Sequence, residues 1–152
     1  DALVPARRLT GVENALYLDD SGSMGGALLP IGKEVLGELA SALDGAPTRV
    51  VKFGTDKTVL APTSPALGAR APLLSALWDA SSGTTVMWDM IEADCRSTWT
   101  PEGGKLRLYV LTDGHDSRTG MAGMHPMMDA LLAAGFDIEV REREGCRSLC
   151  AR

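Results

Sequence analysis

The chain has 152 residues, 45% hydrophobic and 23% charged. That is the length of one domain, able to bury about 70% of its unfolded surface, and the composition argues against intrinsic disorder. Twenty acidic residues against 15 basic ones leave a net charge of −5. This speaks against a general basic surface for nucleic acid, and the 5% aromatic content offers no base-stacking platform.

In chain order, residues 15–18 form a short apolar run that ends at Asp19, the pattern of a buried strand. A turn, Ser21-Gly22-Ser23-Met24-Gly25-Gly26, leads into a helical pattern. Leu28, Val35, Leu36, Leu39 and Leu43 fall on one face, and Asp44-Gly45 stops the helix. Pro30 fits only in the first turn, so the helix begins near Ala27. Residues 48–53 are a second strand, Gly54-Thr55-Asp56-Lys57 a hairpin-type turn and 58–60 an edge strand. A connection containing Pro62, Pro65 and Pro72 precedes short helices at 73–80 and 85–99, the latter with Val86, Met90, Ile91 and Cys95 inward. Residues 106–111 are a strongly apolar strand, Pro126 opens a helix that Gly135 stops, and 136–140 are the last strand. No apolar run reaches the roughly 20 residues of a membrane span, and there is no signal-type segment.

Strands alternating with helices in this way predict an α/β fold: a Rossmann-like, doubly wound, mostly parallel sheet with one antiparallel edge strand, flanked by helices in three layers. Ligands of such folds bind outside the carboxyl ends of the strands. Those ends carry Asp19-Asp20-Ser21-Gly22-Ser23, Gly83-Thr84-Thr85 and Thr112-Asp113-Gly114. All three are rich in oxygen donors and lack a Cys or a ligand-spaced His pair. This suits a hard cation such as Mg²⁺, which takes about six oxygens, better than zinc. Asp19, Ser21 and Ser23 alternate, so in an extended turn their side chains converge, with Asp20 as the spacer.

Asp19-x-Ser21-x-Ser23-Met24, Gly83-Thr84-Thr85-Val86-Met87-Trp88-Asp89 and Tyr109-Val110-Leu111-Thr112-Asp113-Gly114, in this order, resemble the three metal-site motifs of von Willebrand factor A domains. The match extends over residues 12–140. The resemblance implies one such domain over 1–152 with a metal-ion-dependent adhesion site. Ser21 and Ser23 would touch Mg²⁺ (or Mn²⁺ or Ca²⁺) through their hydroxyls. Thr85 would do so directly or through water, and Asp19 and Asp113 largely through water. Mostly neutral ligands leave the cation electrophilic, so it accepts an Asp or Glu carboxylate from a protein partner. The expected role is adhesion or scaffolding rather than catalysis, without membrane insertion, in a chain monomeric on its own.

Each feature also has a plainer reading. Ser21 and Ser23 suit helix capping, and Asp113-Gly114 suits a turn. Trp78, Trp88 and Trp99 read as packing residues, and Met121, Met124, Met127 and Met128 as core or near-core fillers. His115 and Asp116 are either neighbours of the site or plain loop residues. An enzyme reading takes Ser21-Gly22-Ser23-Met24-Gly25-Gly26 as a nucleophile elbow, with Ser23, Asp113 and His125 in α/β-hydrolase order. The elbow then comes too early in the chain, and Asp19 and the Gly-Thr loop go unexplained. An aspartyl-phosphate role for Asp19 lacks a suitably placed Lys. Cys95, Cys146 and Cys150 are too few for a disulfide framework, which leans toward an intracellular setting. A first residue Asp1 in place of Met suggests a fragment or processed product, and only residues 141–152 remain where the family usually adds a strand and a helix.

Overall fold

A computed structural model describes residues 5–80, 86–112 and 123–140, the side chain of Ser23 excepted. The strands are β1 (Arg7–Leu9), β2 (Val12–Asp19), β3 (Thr48–Phe53), β4 (Lys57–Ser64), β5 (Trp99–Pro101), β6 (Lys105–Leu111) and β7 (Asp137–Val140). The helices are α1 (Leu28–Leu43), α2 (Leu67–Leu77), α3 (Met87–Thr98) and α4 (Met124–Ala133). The main sheet runs β4-β3-β2-β6-β7. Every pairing in it is parallel except β3 with β4. This is the predicted three-layer α/β architecture with one antiparallel edge.

The two-residue period of the strands builds two cores. Tyr17, Val51, Phe53, Leu106, Leu108 and Val110 face α3 and α4. Leu16, Leu18, Val50, Tyr109 and Leu111 face α1 and α2. The near-continuous apolar run of β2 is what a strand buried on both faces requires. No helix among the described residues is long and apolar enough to cross a membrane.

Four elements differ from expectation. Helix α2 starts at Leu67 and contains Pro72. The pyrrolidine ring meets the carbonyl four residues earlier; here that residue is Gly68, and Pro72 lies on the exposed side of the helix. Strand β4 runs past Pro62, which an edge strand tolerates. The pair β1 and β5 was not anticipated, because three-residue strands leave no readable period.

Of the residues expected inward on α3, Ile91 and Cys95 are buried and Met90 is partly buried against the core, while Val86, which precedes the helix, is exposed. Met87, Trp88 and Asp94 are buried as well; the stripe thus contains a carboxylate, which hydrophobic period does not pick out. Arg49 makes Asp94 acceptable inside: Nε donates to Oδ2 at 3.0 Å and an NH2 nitrogen to Oδ1 at 2.7 Å. Lys57 Nζ adds a bond to Oδ1 at 3.0 Å, and the Tyr17 hydroxyl one to Oδ2 at 2.8 Å. Burial pushes the Asp94 carboxyl up, but the bonds and charge of Arg49 outweigh it and hold the group below the usual aspartate range. Burial also raises the Tyr17 phenol well above its ordinary value and the Cys95 thiol to about 12. Cys95 is therefore an inert core thiol.

Candidate metal centre

The helix after β2, α1, lies on one face of the sheet, and the helix after β6, α4, lies on the other. Because β2 and β6 are neighbours, their carboxyl ends flank the crevice where the chain directions diverge, the usual ligand position in such sheets. The last registered pair is Leu18 with Leu111. One residue further, Asp19 and Thr112 meet: Thr112 Oγ1 donates to Asp19 Oδ2 at 2.6 Å. The other oxygen, Oδ1, accepts the Ser21 backbone N–H at 2.9 Å and the Ser21 hydroxyl at 2.5 Å. Asp19 and Thr112 are fully buried, and Ser21 is nearly so.

Ser21 stands at the start of a 3₁₀ turn, Gly22–Met24, yet makes no capping bond there with its side chain. Its hydroxyl turns back to Asp19, so the capping explanation does not describe this residue. The spacing Asp19-x-Ser21 does what the alternation predicts. Thr112, which belongs to the third motif and directly follows an apolar strand, joins the site through its bond to Asp19. Thr85 and Asp113 lie outside the described residues, as does the side chain of Ser23. So do Gly83, Thr84, His115, Asp116, Met121, Cys146 and Cys150.

Two further residues beside the site make contacts that the sequence pattern does not reveal. Asp20, the spacer between Asp19 and Ser21, is 3% exposed and faces Lys52 Nζ at 3.2 Å. Trp78 is a buried packing residue, as expected, and its Nε1 also donates to the Asp19 carbonyl at 2.9 Å. Trp88 and Trp99 are buried core residues, as are Met127 and, in part, Met124 and Met128. Of the hydrolase constellation only His125 is fully described, and it is exposed in the first turn of α4.

The Trp78 contact depends on Gly32 of α1. A Cβ on Gly32 would lie 2.5 Å from the Trp78 ring carbon Cη2. Ala in place of Gly gains about 1 kcal/mol of helix propensity, but forcing apart a closely packed core costs about 1–3 kcal/mol. Trp78 is fully buried and tethered at Nε1, so the clash wins. Gly32→Ala is expected to destabilise by about 1–2 kcal/mol and to shift the tryptophan emission. A variant melting above the parent would show that the indole gives way freely.

The donor set fits a hard cation. Among the described residues the cluster brings two hydroxyls, of Ser21 and Thr112, to the Asp19 carboxylate, an all-oxygen set. Both hydroxyls donate their protons to Asp19, which polarises their oxygens toward electron-pair donation.

No protein-family model matches the chain, and no curated protein does. Solved structures do. A von Willebrand factor type A structure from Catenulispora acidiphila superposes with a TM-score of 0.63 at 22% identity, over 93% of this chain and 36% of that one. The fold is that of von Willebrand factor A domains. An aerotolerance-related membrane protein from Bacteroides fragilis aligns with a TM-score of 0.67 at 19% identity, over 93% of this chain and 87% of its own. BatB from Bacteroides thetaiotaomicron aligns with a TM-score of 0.63 at 23% identity, over 86% and 65%. This chain thus spans 36% of the length of the Catenulispora structure and 65% of BatB, under two thirds of each, and 87% of the Bacteroides fragilis protein.

Proposed function

We propose that the chain is a single von Willebrand factor A module that binds Mg²⁺ or Mn²⁺ at the carboxyl ends of its central strands and, through it, a carboxylate of a protein partner. The observation that carries this reading is Asp19. One buried carboxylate at the switch point between β2 and β6 gathers Ser21 and Thr112 from sequence-distant motifs.

The residues of this chain orient and polarise. Asp19 takes the protons of Ser21 and Thr112 and so sets the direction in which their oxygens donate. Ser23, Thr85 and Asp113 complete the set on the strength of their motifs. When bound, the cation supplies a Lewis-acidic position for a partner's Asp or Glu. With mostly neutral protein ligands, that positive charge is left largely uncompensated until the partner carboxylate arrives. Nothing in this scheme turns over a substrate, so the module binds rather than catalyses.

A ligand specific for the native state stabilises it by mass action, by about 2.7 kcal/mol at a hundredfold excess over Kd. Millimolar Mg²⁺ or Mn²⁺ is expected to raise the melting temperature of the parent chain, and Asp19→Ala to remove the rise. Melting curves that ignore both cations would sink the proposal. Ester turnover that survives chelation and disappears in Ser23→Ala would establish the hydrolase reading in its place.

A further inference from the structure

We infer that Asp20 and Lys52 are positioning residues for the Asp19 carboxylate, forming with Trp78 a latch that ties the end of β2 to the segment leaving α2. The inference rests on the cation reading for its purpose, while its geometry is independent of any metal.

Asp19 is the last residue of β2, one position beyond the last pair registered with β6. On the β3 side the ladder does hold it, Asp19 pairing with Phe53; on the β6 side no registered pair does. Asp20 follows and, by the strand period, points to the opposite face. Its backbone N–H donates to the Phe53 carbonyl at 2.7 Å. Its Oδ1 accepts the Ala80 N–H at 2.8 Å, and Oδ2 meets Lys52 Nζ at 3.2 Å. Lys52 Nζ in turn donates to the Leu77 carbonyl at 2.8 Å and stands 3.6 Å from Asp79 Oδ1. With the Trp78 bond to the Asp19 carbonyl, the last residue of β2 and the one after it are fastened to the stretch Leu77, Trp78 and Ala80.

Ala80 has φ of 53°, the only positive value for a non-glycine among the described residues. L-residues avoid this region, and it persists only where surrounding contacts over-determine it. The bond from Ala80 N–H to a buried carboxylate is such a contact. Asp20 and Lys52 are therefore spent on holding backbone in an unfavourable shape beside Asp19. The result is a fixed Cα for Asp19, and so a fixed carboxylate, which must meet Ser21 and Thr112 together.

Two measurements test this: Mn²⁺ titration calorimetry, and hydrogen exchange of the Ser21 amide, which donates to Asp19 Oδ1 and so reports the position of that carboxylate without metal. The variants are Asp20→Ala, Asp20→Asn, Lys52→Met and, as a stability control, Leu39→Ala. Supporting groups around metal ligands typically account for about 10–100-fold in affinity. Asp20→Ala and Lys52→Met are expected to weaken Mn²⁺ binding within that range and to speed Ser21 exchange. Asp20→Asn keeps an acceptor for Ala80 and should recover most of both. Leu39→Ala should lower the melting temperature while leaving Mn²⁺ affinity at the parent value. Parent-like Ser21 exchange in Asp20→Ala, corrected for stability, overturns the inference whether or not Mn²⁺ binds. Parent-like Mn²⁺ affinity in Asp20→Ala, with binding lost in Asp19→Ala, overturns it as well. A parent chain that takes up no Mn²⁺ defeats the cation reading, and Ser21 exchange then decides the latch by itself.

Discussion

Asp94→Ala is expected to destabilise the chain by about 3–5 kcal/mol, the usual result of breaking a buried ion pair from one side. The substitution leaves the Arg49 guanidinium, 10% exposed, facing a void where a carboxylate accepted two of its bonds. The Tyr17 hydroxyl loses its bond to the carboxylate and keeps only the weaker contact with Cys95 Sγ at 3.4 Å. Lys57 contributes less, because at 39% side-chain exposure water screens its charge. For a domain of this size the loss corresponds to a fall in melting temperature of about 6–20 °C. If the cause is the stranded cation, then Arg49→Met combined with Asp94→Leu should be much milder, since apolar pairs often replace buried ion pairs without loss. Equal damage from the single and double variants would mean that packing, and not charge, is what Asp94 supplies.

The same pair sets a pH dependence. The folded-state carboxyl of Asp94 is held below its ordinary value, against the pull of burial, by Arg49. A depressed carboxyl contributes stability that is fully present above the unfolded value of about 4. That contribution is lost as pH falls through the lower folded value. The stability gap between the parent and Asp94→Asn should therefore be flat at neutral pH and close on acidification below about 4. Chemical denaturation at a series of pH values measures it, and a gap that widens toward acid would reverse the sign.

Gly104→Ala should be comparably severe, for a steric reason. A Cβ there would lie 2.5 Å from the Gly11 carbonyl oxygen, 2.6 Å from that of Leu9 and 2.7 Å from the Leu9 carbonyl carbon. All three are backbone atoms, which cannot rotate aside. The Gly104 N–H donates to the Leu9 carbonyl at 2.9 Å, and Lys105 N–H to that of Gly11 at 2.9 Å. Relieving the clash breaks these bonds and draws the fully buried Leu9 out of the core beside Trp99. Lost bonds at about 1 kcal/mol each and the exposure of a leucine at about 1.5–3 kcal/mol give a loss of about 3–5 kcal/mol. Gly11→Ala has nothing within 4 Å of its new methyl and should stay within about 0.5 kcal/mol of the parent. Denaturation midpoints that place the two variants together would refute the steric account.

Much of this fold was legible because local pattern and tertiary role coincide. Val35, Leu36 and Leu39 recur at helical spacing, and all three are buried. The break at Asp44-Gly45 is real, with Gly45 at φ of 94°. The apolar run into Asp19 is the central strand. In helix α3, Ile91 and Cys95 are buried as their spacing predicts, but the equally buried Asp94 is not foreseen, because a carboxylate interrupts the apolar stripe. A reader of the sequence had one hint: Arg49 and Lys52 stand in an otherwise apolar strand on opposite parities, and each needs a buried acceptor on its own face. Arg49 finds Asp94 and Lys52 finds Asp20.

By itself the sequence determined where β2, β3, β6 and β7 end and that the ends of β2 and β6 carry oxygen donors. Both are consequences of a two-residue period and of turn chemistry acting over a few positions. Only the tertiary structure decided which of the donors meet. Asp19 and Thr112 are 93 residues apart, and their contact follows from β2 lying beside β6 in parallel register. Strand order and register are settled by how two apolar faces are buried at once under four helices. No local spacing encodes that, and so Thr112, Asp20 and Lys52 became visible as parts of the site only in three dimensions.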